Sequence, residues 1–340
     1  MKRFLIKISA FFLPVVILVI IYIATDVFKV IHHYDPYFDP YPYYIGVNRA
    51  YGSTMTYINQ NPKYHYDSFI FGNSRSSIYE IDTWKKYLPK GSRCMHFDEY
   101  GGSISGVRDK IVFIDKNGEH IKNALLVIDY GLLGHIDQED AGYLFMAPPV
   151  LKNNTNLFVF HTKHFMSFIN PTFLTALADY KMFGIYRTYM ENYINNGQST
   201  TYISKYNEFQ KTRIEKEIKE GVYYDEEHLK IFEGVQKPGT YSNEKIGEKE
   251  LAYFKDVKDI FDRHKTSYKI VISPLYDQIK LNPQTYKILC SIFGKENIYD
   301  FSGPNKWNKD YHNYYESSHY RPIVSAEIMD IIYRTKQNSE

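Results

Sequence analysis

The sequence predicts an α/β domain on a flavodoxin-like five-stranded parallel sheet, carrying a helical insertion and preceded by one transmembrane helix. Short apolar runs alternate with longer amphipathic ones over much of residues 67–335, the pattern of strands joined by crossover helices. The alternation stops between 133 and 245, where aromatic and charged helix-like segments take over, and this stretch reads as an insertion between the third and fourth strands. A nearly unbroken apolar run lies close to the N-terminus.

That run extends from Ile8 to Ala24, and Phe4, Leu5 and Ile6 ahead of it bring it to about the 20 residues a bilayer-spanning helix needs. Pro14 falls inside, where a membrane helix tolerates it. Lys2, Arg3 and Lys7 precede the run and Asp26 follows it, so the charge asymmetry puts the N-terminus in the cytoplasm and the chain beyond about residue 30 outside. The apolar region of a cleaved signal peptide is shorter and ends in a small-x-small site, which Tyr-Ile-Ala-Thr does not supply. Residues 1–26 are therefore expected to form a cytoplasmic tip and signal anchor, with residues 4–24 in the lipid bilayer.

Residues 27–66 are rich in Tyr, Pro and Asp without helical or alternating period, and read as an extended lead-in to a domain spanning 67–335. The strands expected there are Ser68–Gly72, Arg93–Phe97, Ala124–Asp129, Tyr268–Ser273 and Asn297–Phe301. Asn282 caps a helix with Pro283 at its first position. Pro322 opens the closing helix, whose Ile323, Ala326, Ile328, Ile331 and Ile332 form its apolar stripe, and 336–340 form a tail. An insertion after the third strand of such a sheet sits above the carboxyl ends of the strands, where ligands bind.

Forty-one basic residues against thirty-nine acidic ones leave no global field to attract nucleic acid. The 34 tyrosines suit a surface that grips amphipathic ligands and equally suit a tyrosine-loaded core. Cys94 and Cys290 are too few for a disulfide framework and lack metal-binding spacing. In a strand order of 2-1-3-4-5 they belong to opposite edges of the sheet, so two free, buried thiols are expected. His161 and His164 have helical i, i+3 spacing without a third ligand nearby, which reads as a solvated face. No metal or cofactor is expected.

Two segments carry the chemistry. Asp67-Ser-Phe-Ile-Phe-Gly-Asn-Ser-Arg-Ser-Ser places Ser74 just after an apolar strand and just before a helix start at Ser76 or Ser77, with Gly72 allowing a tight turn. A serine so placed is either a nucleophile or an N-cap. Tyr314-Tyr-Glu-Ser-Ser-His-Tyr-Arg-Pro stands directly before the closing helix. His319 is there either a base, with Glu316 three residues back to fix its tautomer, or a surface histidine beside a chance acid. The two segments bracket the domain at its first and last strand ends, which a doubly wound sheet brings to one edge.

Gly-x-Ser after the first strand and acid-x-x-His before the last helix resemble the SGNH (GDSL) hydrolase superfamily. Gly72-Asn-Ser-Arg, with Asp300-Phe-Ser-Gly and Ser318-His-Tyr-Arg-Pro, is similar to its membrane-anchored bacterial branch, which includes the teichoic acid D-alanyl transfer protein and polysaccharide O-acetylation proteins. The resemblance covers roughly 66–132 and 246–335. It implies Ser74 as nucleophile, His319 as general base and Glu316, rather than Asp310 or Asp300, as the acid. It also implies an oxyanion site made by the Ser74 amide with that of Gly101 or Gly102 in Glu99-Tyr-Gly-Gly-Ser. Asp129, in Val127-Ile-Asp-Tyr-Gly, stands where the family has an asparagine, and Arg75 is expected either to pair with such a carboxylate or to hold an anionic substrate group.

The function so implied is acyl transfer or deacylation on a cell-surface glycan or similar hydroxyl through an acyl-serine intermediate. The implied setting is the outer face of a bacterial inner membrane, on a single-pass protein with its main domain extracytoplasmic, beside a membrane-bound O-acyltransferase. A stand-alone periplasmic esterase and a non-catalytic envelope binding protein with a degenerate SGNH fold are the alternatives.

Overall fold

The computed structural model of the chain describes residues 2–38, 43–134, 142–152, 156–191, 193–196 and 200–334. Five parallel strands form the central sheet: β1 Ser68–Gly72, β2 Cys94–His96, β3 Asn123–Ile128, β4 Ser267–Ile272 and β5 Ile298–Asp300. Their order is β2-β1-β3-β4-β5, the flavodoxin-like arrangement expected from the sequence. The long helices among the described residues are α1 Lys2–Thr25, α2 Arg49–Tyr64, α3 Ile104–Lys116, α4 Leu157–Phe168, α5 Pro171–Phe183, α6 Thr212–Lys219, α7 Glu248–His264, α8 Pro283–Phe293 and α9 Pro322–Arg334.

The central strands are apolar almost throughout because helices cover both faces of the sheet. Phe69, Phe71, Leu126, Ile128, Ile270 and Ile272 pack on one side with Ile111 of α3, Phe254 of α7 and Leu289 of α8. Ile70, Leu125, Val127 and Val271 point the other way, into a core shared with Trp84 and with Ile328 and Met329 of α9. The two-residue period along each strand thus feeds two cores. Asn282 caps α8 through its side chain and Pro283 opens it, as the sequence indicates.

The lead-in is not extended throughout. Arg49–Tyr64 is a 16-residue helix capped by the Asn48 side chain, which accepts from the Tyr51 amide at 3.0 Å. Its buried face includes Arg49, Ala50, Ser53, Thr54, Tyr57, Gln60 and Asn61, so the usual apolar stripe is largely replaced by polar groups, of which Arg49, Ser53, Gln60 and Asn61 bond partners remote in sequence. Arg49 shows how: its guanidinium is buried, bonds Asp98 at 2.6 and 3.3 Å, reaches the Asn207 side chain and carbonyl, and lies 4.8 Å from the ring centroids of both Phe38 and Phe209.

The insertion is also not wholly helical. Ile194–Asn196 pairs antiparallel with Tyr43–Ile45 of the lead-in, and Thr201–Ile203 pairs with Glu208–Gln210. His164 does not face solvent; it is buried among Phe28, Tyr143 and Phe160, with Nδ1 2.8 Å from the Phe160 carbonyl. An aromatic pocket assembled from three distant segments buries it, which an i, i+3 spacing does not reveal. Cys94 and Cys290 are free, but only Cys94 is buried, Cys290 being partly exposed on α8.

Among the described residues no helix, α1 included, is long and apolar enough to cross a membrane, so the transmembrane helix expected over residues 4–24 is not shown by the fold. The tail at 336–340 lies outside the described residues.

Candidate active site

Ser74 follows β1 directly. Gly72 has φ of +152°, and a Cβ there would lie 2.5 Å from the Val127 carbonyl oxygen and 2.9 Å from Cβ of Ser76, so a side chain is excluded where the strand breaks into the turn. Asn73 caps that turn by accepting from the Arg75 amide at 3.0 Å. Ser74–Ile78 is a 3₁₀ turn and not the start of an α-helix at Ser76 or Ser77. The Ser76 and Ser77 hydroxyls bond the carbonyls of Asn73 and Ser74 at 2.7 and 2.6 Å, the local competition through which serine works against α-helix.

His319 lies on a short hairpin, Tyr314–Glu316 paired with His319–Tyr320, immediately before α9. Its Nε2 is 2.8 Å from Ser74 Oγ, across 245 residues of sequence. Its Nδ1 bonds Glu316 Oε1 and lies 3.0 Å from Ser318 Oγ. Glu316 further accepts from the Ser318 amide at 2.8 Å and hydroxyl at 3.0 Å. Burial by itself would raise the Glu316 carboxyl, but the hydrogen bond and charge of His319 and the two bonds from Ser318 outweigh it and hold it at about 2. A carboxylate can only accept, so Nδ1 donates to Glu316, which leaves Nε2 facing the Ser74 hydroxyl. The other two acids are engaged elsewhere: Asp300 accepts from Ser302, and Asp310 binds His312.

Arg75 joins the two loops. Its Nε donates to the Ser318 carbonyl at 3.1 Å and Nη1 to Asp129 Oδ2 at 3.2 Å. Asp129, 1% exposed, also accepts from Asn73 Nδ2 at 2.8 Å and, through Oδ1, from the Leu132 amide at 2.9 Å. Both carboxylate oxygens are thus engaged and the charge is matched by Arg75. Of the two roles considered for Arg75, the structure shows the pairing with Asp129.

Gly101 and Gly102 lie in the turn after β2, at the same carboxyl edge of the sheet. The Glu99 amide bonds the Gly72 carbonyl at 3.2 Å, tying that turn to the end of β1. Side chains are excluded at both glycines: a Cβ at Gly101, where φ is +58°, would lie 2.9 Å from the Phe145 ring, and one at Gly102 2.3 Å from Glu99. Two buried ion pairs brace the turn from beneath, Arg49 with Asp98 and Lys110 with Glu99, each at 2.6 Å.

The structure therefore brings Ser74, His319, Glu316, Arg75 and Asp129 into one bonded set, with Gly101 and Gly102 in the adjoining turn. Sequence reasoning missed the residues that hold the hairpin from the insertion. Glu215 of α6 accepts from Tyr315 at 2.7 Å and from Arg321 at 2.6 and 3.0 Å. Tyr224 and Tyr223 donate to the carbonyls of Tyr314 and Tyr315 at 2.7 and 3.1 Å. The one available signal was Arg321, two residues after His319. Beneath the hairpin, the hydroxyls of Tyr79, Tyr320 and Ser273 form a buried series with spacings of 3.0 and 3.2 Å.

Chemically, such a set can take a proton from a serine hydroxyl onto an imidazole whose opposite nitrogen is fixed by a carboxylate. Among the described residues no group of three or more His, Cys, Asp or Glu is placed to hold a metal ion. Comparison with family models, with curated proteins and with solved structures gives no match to this chain.

Proposed function

We propose that this chain is a membrane-anchored serine acyltransferase or esterase of SGNH type, acting on O-acyl groups of a cell-surface glycan or similar hydroxyl. The observation that carries the reading is the alignment of Ser74 Oγ, His319 and Glu316, with a 2.8 Å contact between the first two. In the proposed cycle His319 Nε2 takes the Ser74 proton as Oγ bonds to the acyl carbonyl carbon, and the tetrahedral oxyanion faces the Ser74 amide and that of Gly101 or Gly102. Collapse breaks the ester bond, and the leaving oxygen receives the proton from His319. An acceptor hydroxyl, or water, then gives its proton to His319 as its oxygen attacks acyl-Ser74, and the serine is regenerated with the product ester or acid.

Setting and partners belong to the same proposal. The apolar run at 4–24 and the basic residues ahead of it support an anchor with the domain extracytoplasmic, and the resemblance supports a membrane-bound O-acyltransferase as acyl supplier. Asp129 favours a second reading, that of a non-catalytic binding protein: a carboxylate saturated by Arg75, Asn73 and Leu132 offers no side-chain donor where the family has an amide.

Mass spectrometry after exposure to a serine-directed fluorophosphonate separates the two. The enzyme reading expects an adduct on Ser74 in the wild type and its loss in His319→Ala; an unlabelled Ser74 in folded protein leaves the binding reading.

A further inference from the structure

We propose that α4 and α5 form an interfacial platform, their exposed apolar side chains seated in the headgroup–acyl boundary of a lipid bilayer. The inference rests on the reading of α1 as a membrane anchor and extends it to the insertion.

The helices are fixed against the end of α1. Tyr22 is buried on the rings of Phe165 and Phe168 of α4 at 5.5 and 5.3 Å, and Phe28, just past α1, packs on Phe173 of α5 at 5.3 Å. On α4 the face opposite its buried stripe of Phe160, His164 and Phe168 carries Phe158, Thr162 and Met166, with Phe158 77% exposed. On α5 the outward positions are Pro171, Thr175, Ala178 and Met182, followed by Phe183 and Ile185. Soluble helices present polar groups on such faces, whereas these present rings, thioethers and small side chains.

Two further features favour lipid as the occupant. The patch lies on helices that pack against the end of α1, whose Phe11, Phe12, Ile17, Ile20 and Ile23 are themselves exposed, so an α1 seated in the bilayer brings α4 and α5 to its surface. From 141 to 178 the sequence contains no Asp or Glu while carrying Lys152 and Lys163, with Lys181 just beyond. Asp179 is the one carboxylate on α4 and α5 and is paired with Arg187 at 2.8 Å, and a face so nearly free of unpaired negative charge and flanked by lysines is the composition that anionic lipid attracts and tolerates at shallow depth. A cavity of about 240 Å³ beside the end of α1 is lined by Lys29 and Lys181 together with Asp26, whose carboxylate is occupied by the amides of residues 30–32.

The test uses the full chain with Cys290→Ser, Cys94 being buried. An NBD fluorophore is placed singly at Phe158→Cys, Phe183→Cys, Ile17→Cys and, as an exposed control on α8, Lys287→Cys. Each protein is reconstituted in nanodiscs of phosphatidylethanolamine and phosphatidylglycerol containing lipids with an acyl-chain nitroxide, shallow in one series and deep in a second. Positions 158 and 183 are expected to lose most of their fluorescence while 287 keeps its own. If 17 is quenched and 158 and 183 behave like 287, the platform is overturned and the anchor stands, leaving this face to a protein partner. If 17 escapes quenchers at every acyl depth, the anchor reading fails and takes the platform with it.

Discussion

The guanidinium of Arg75 donates from Nε to the carbonyl of Ser318 at 3.1 Å, so the turn that bears Ser74 and the hairpin that bears His319 are tied side by side. The same side chain neutralises Asp129 beneath them. Its planar fork serves both acceptors at once, which a single ammonium cannot do. Arg75→Lys and Arg75→Ala are therefore both expected to slow fluorophosphonate labelling of Ser74 by about 10²-fold, the scale of a misplacement near 1 Å. Labelling at the wild-type rate in folded Arg75→Ala would show that the loops align without this tie.

Glu316 is held at about 2, so it stays ionised throughout the neutral and mildly acidic range. Glu316→Gln retains the shape but removes the charge that fixes the His319 tautomer. The expected cost is about 10³–10⁴-fold in turnover, with Asp300→Asn and Asp310→Asn near wild type. Because the carboxyl is depressed from its ordinary value of 4.5, its contribution to stability is present above that value and is lost only as pH falls toward 2. An acid limb in the pH–rate profile near pH 4 that disappears in Glu316→Gln would contradict the assignment.

The buried Arg49–Asp98 pair braces the turn that carries Gly101 and Gly102. Burial would raise Asp98, but Arg49 and His96 outweigh it and keep the carboxylate ionised, so removing only the arginine strands a buried charge. Arg49→Met is expected to cost about 3–5 kcal/mol in equilibrium denaturation, and Arg49→Met with Asp98→Leu to recover most of it. A double variant no more stable than the single one would mean that the loss lies in Asn207 or the flanking rings and not in the stranded charge.

These three cases mark what the sequence could and could not disclose. The strands were legible because a sheet covered on both faces demands apolar residues at every position, as in Phe69-Ile-Phe and Leu125-Leu-Val-Ile. Ser74 and the Glu316–His319 pair were legible because each lies in a local motif and the fold brings the two motifs to one edge. Helix α2 was not, because Arg49, Ser53 and Asn61 are buried polar residues, and Arg49 finds Asn207 across 158 positions. The same holds for Glu215 and Arg321, 106 positions apart, whose bond gives the insertion its grip on the His319 hairpin. Periodicity reports burial of apolar side chains; it is silent on polar groups that pay for burial through partners remote in sequence.

His164 gives the last prediction. Burial lowers its imidazole from 6.5 to about 4; the Phe160 carbonyl and Asp26 oppose that lowering and His161 adds to it. Its Nδ1 donates to Phe160, and Nε2 has no hydrogen-bond partner among the described residues, so a proton there would sit unsolvated between aromatic rings. In the unfolded chain the ring takes its proton near pH 6.5, whereas the folded protein refuses it until about pH 4. Between those values the unfolded state binds more protons, so stability falls on acidification through the window and the loss reaches about 3 kcal/mol at its lower end. His164→Phe keeps an aromatic ring in an aromatic pocket and removes the titration. Thermal unfolding of the full chain in detergent micelles, followed from pH 7 to pH 4, should show the wild type losing stability faster than His164→Phe, with the two curves diverging below about pH 6.5. All other ionisable groups are present in both proteins and largely cancel in the difference. Parallel curves across the window would mean that His164 takes its proton in the folded state, and hence that the pocket formed by Phe28, Tyr143 and Phe160 admits water.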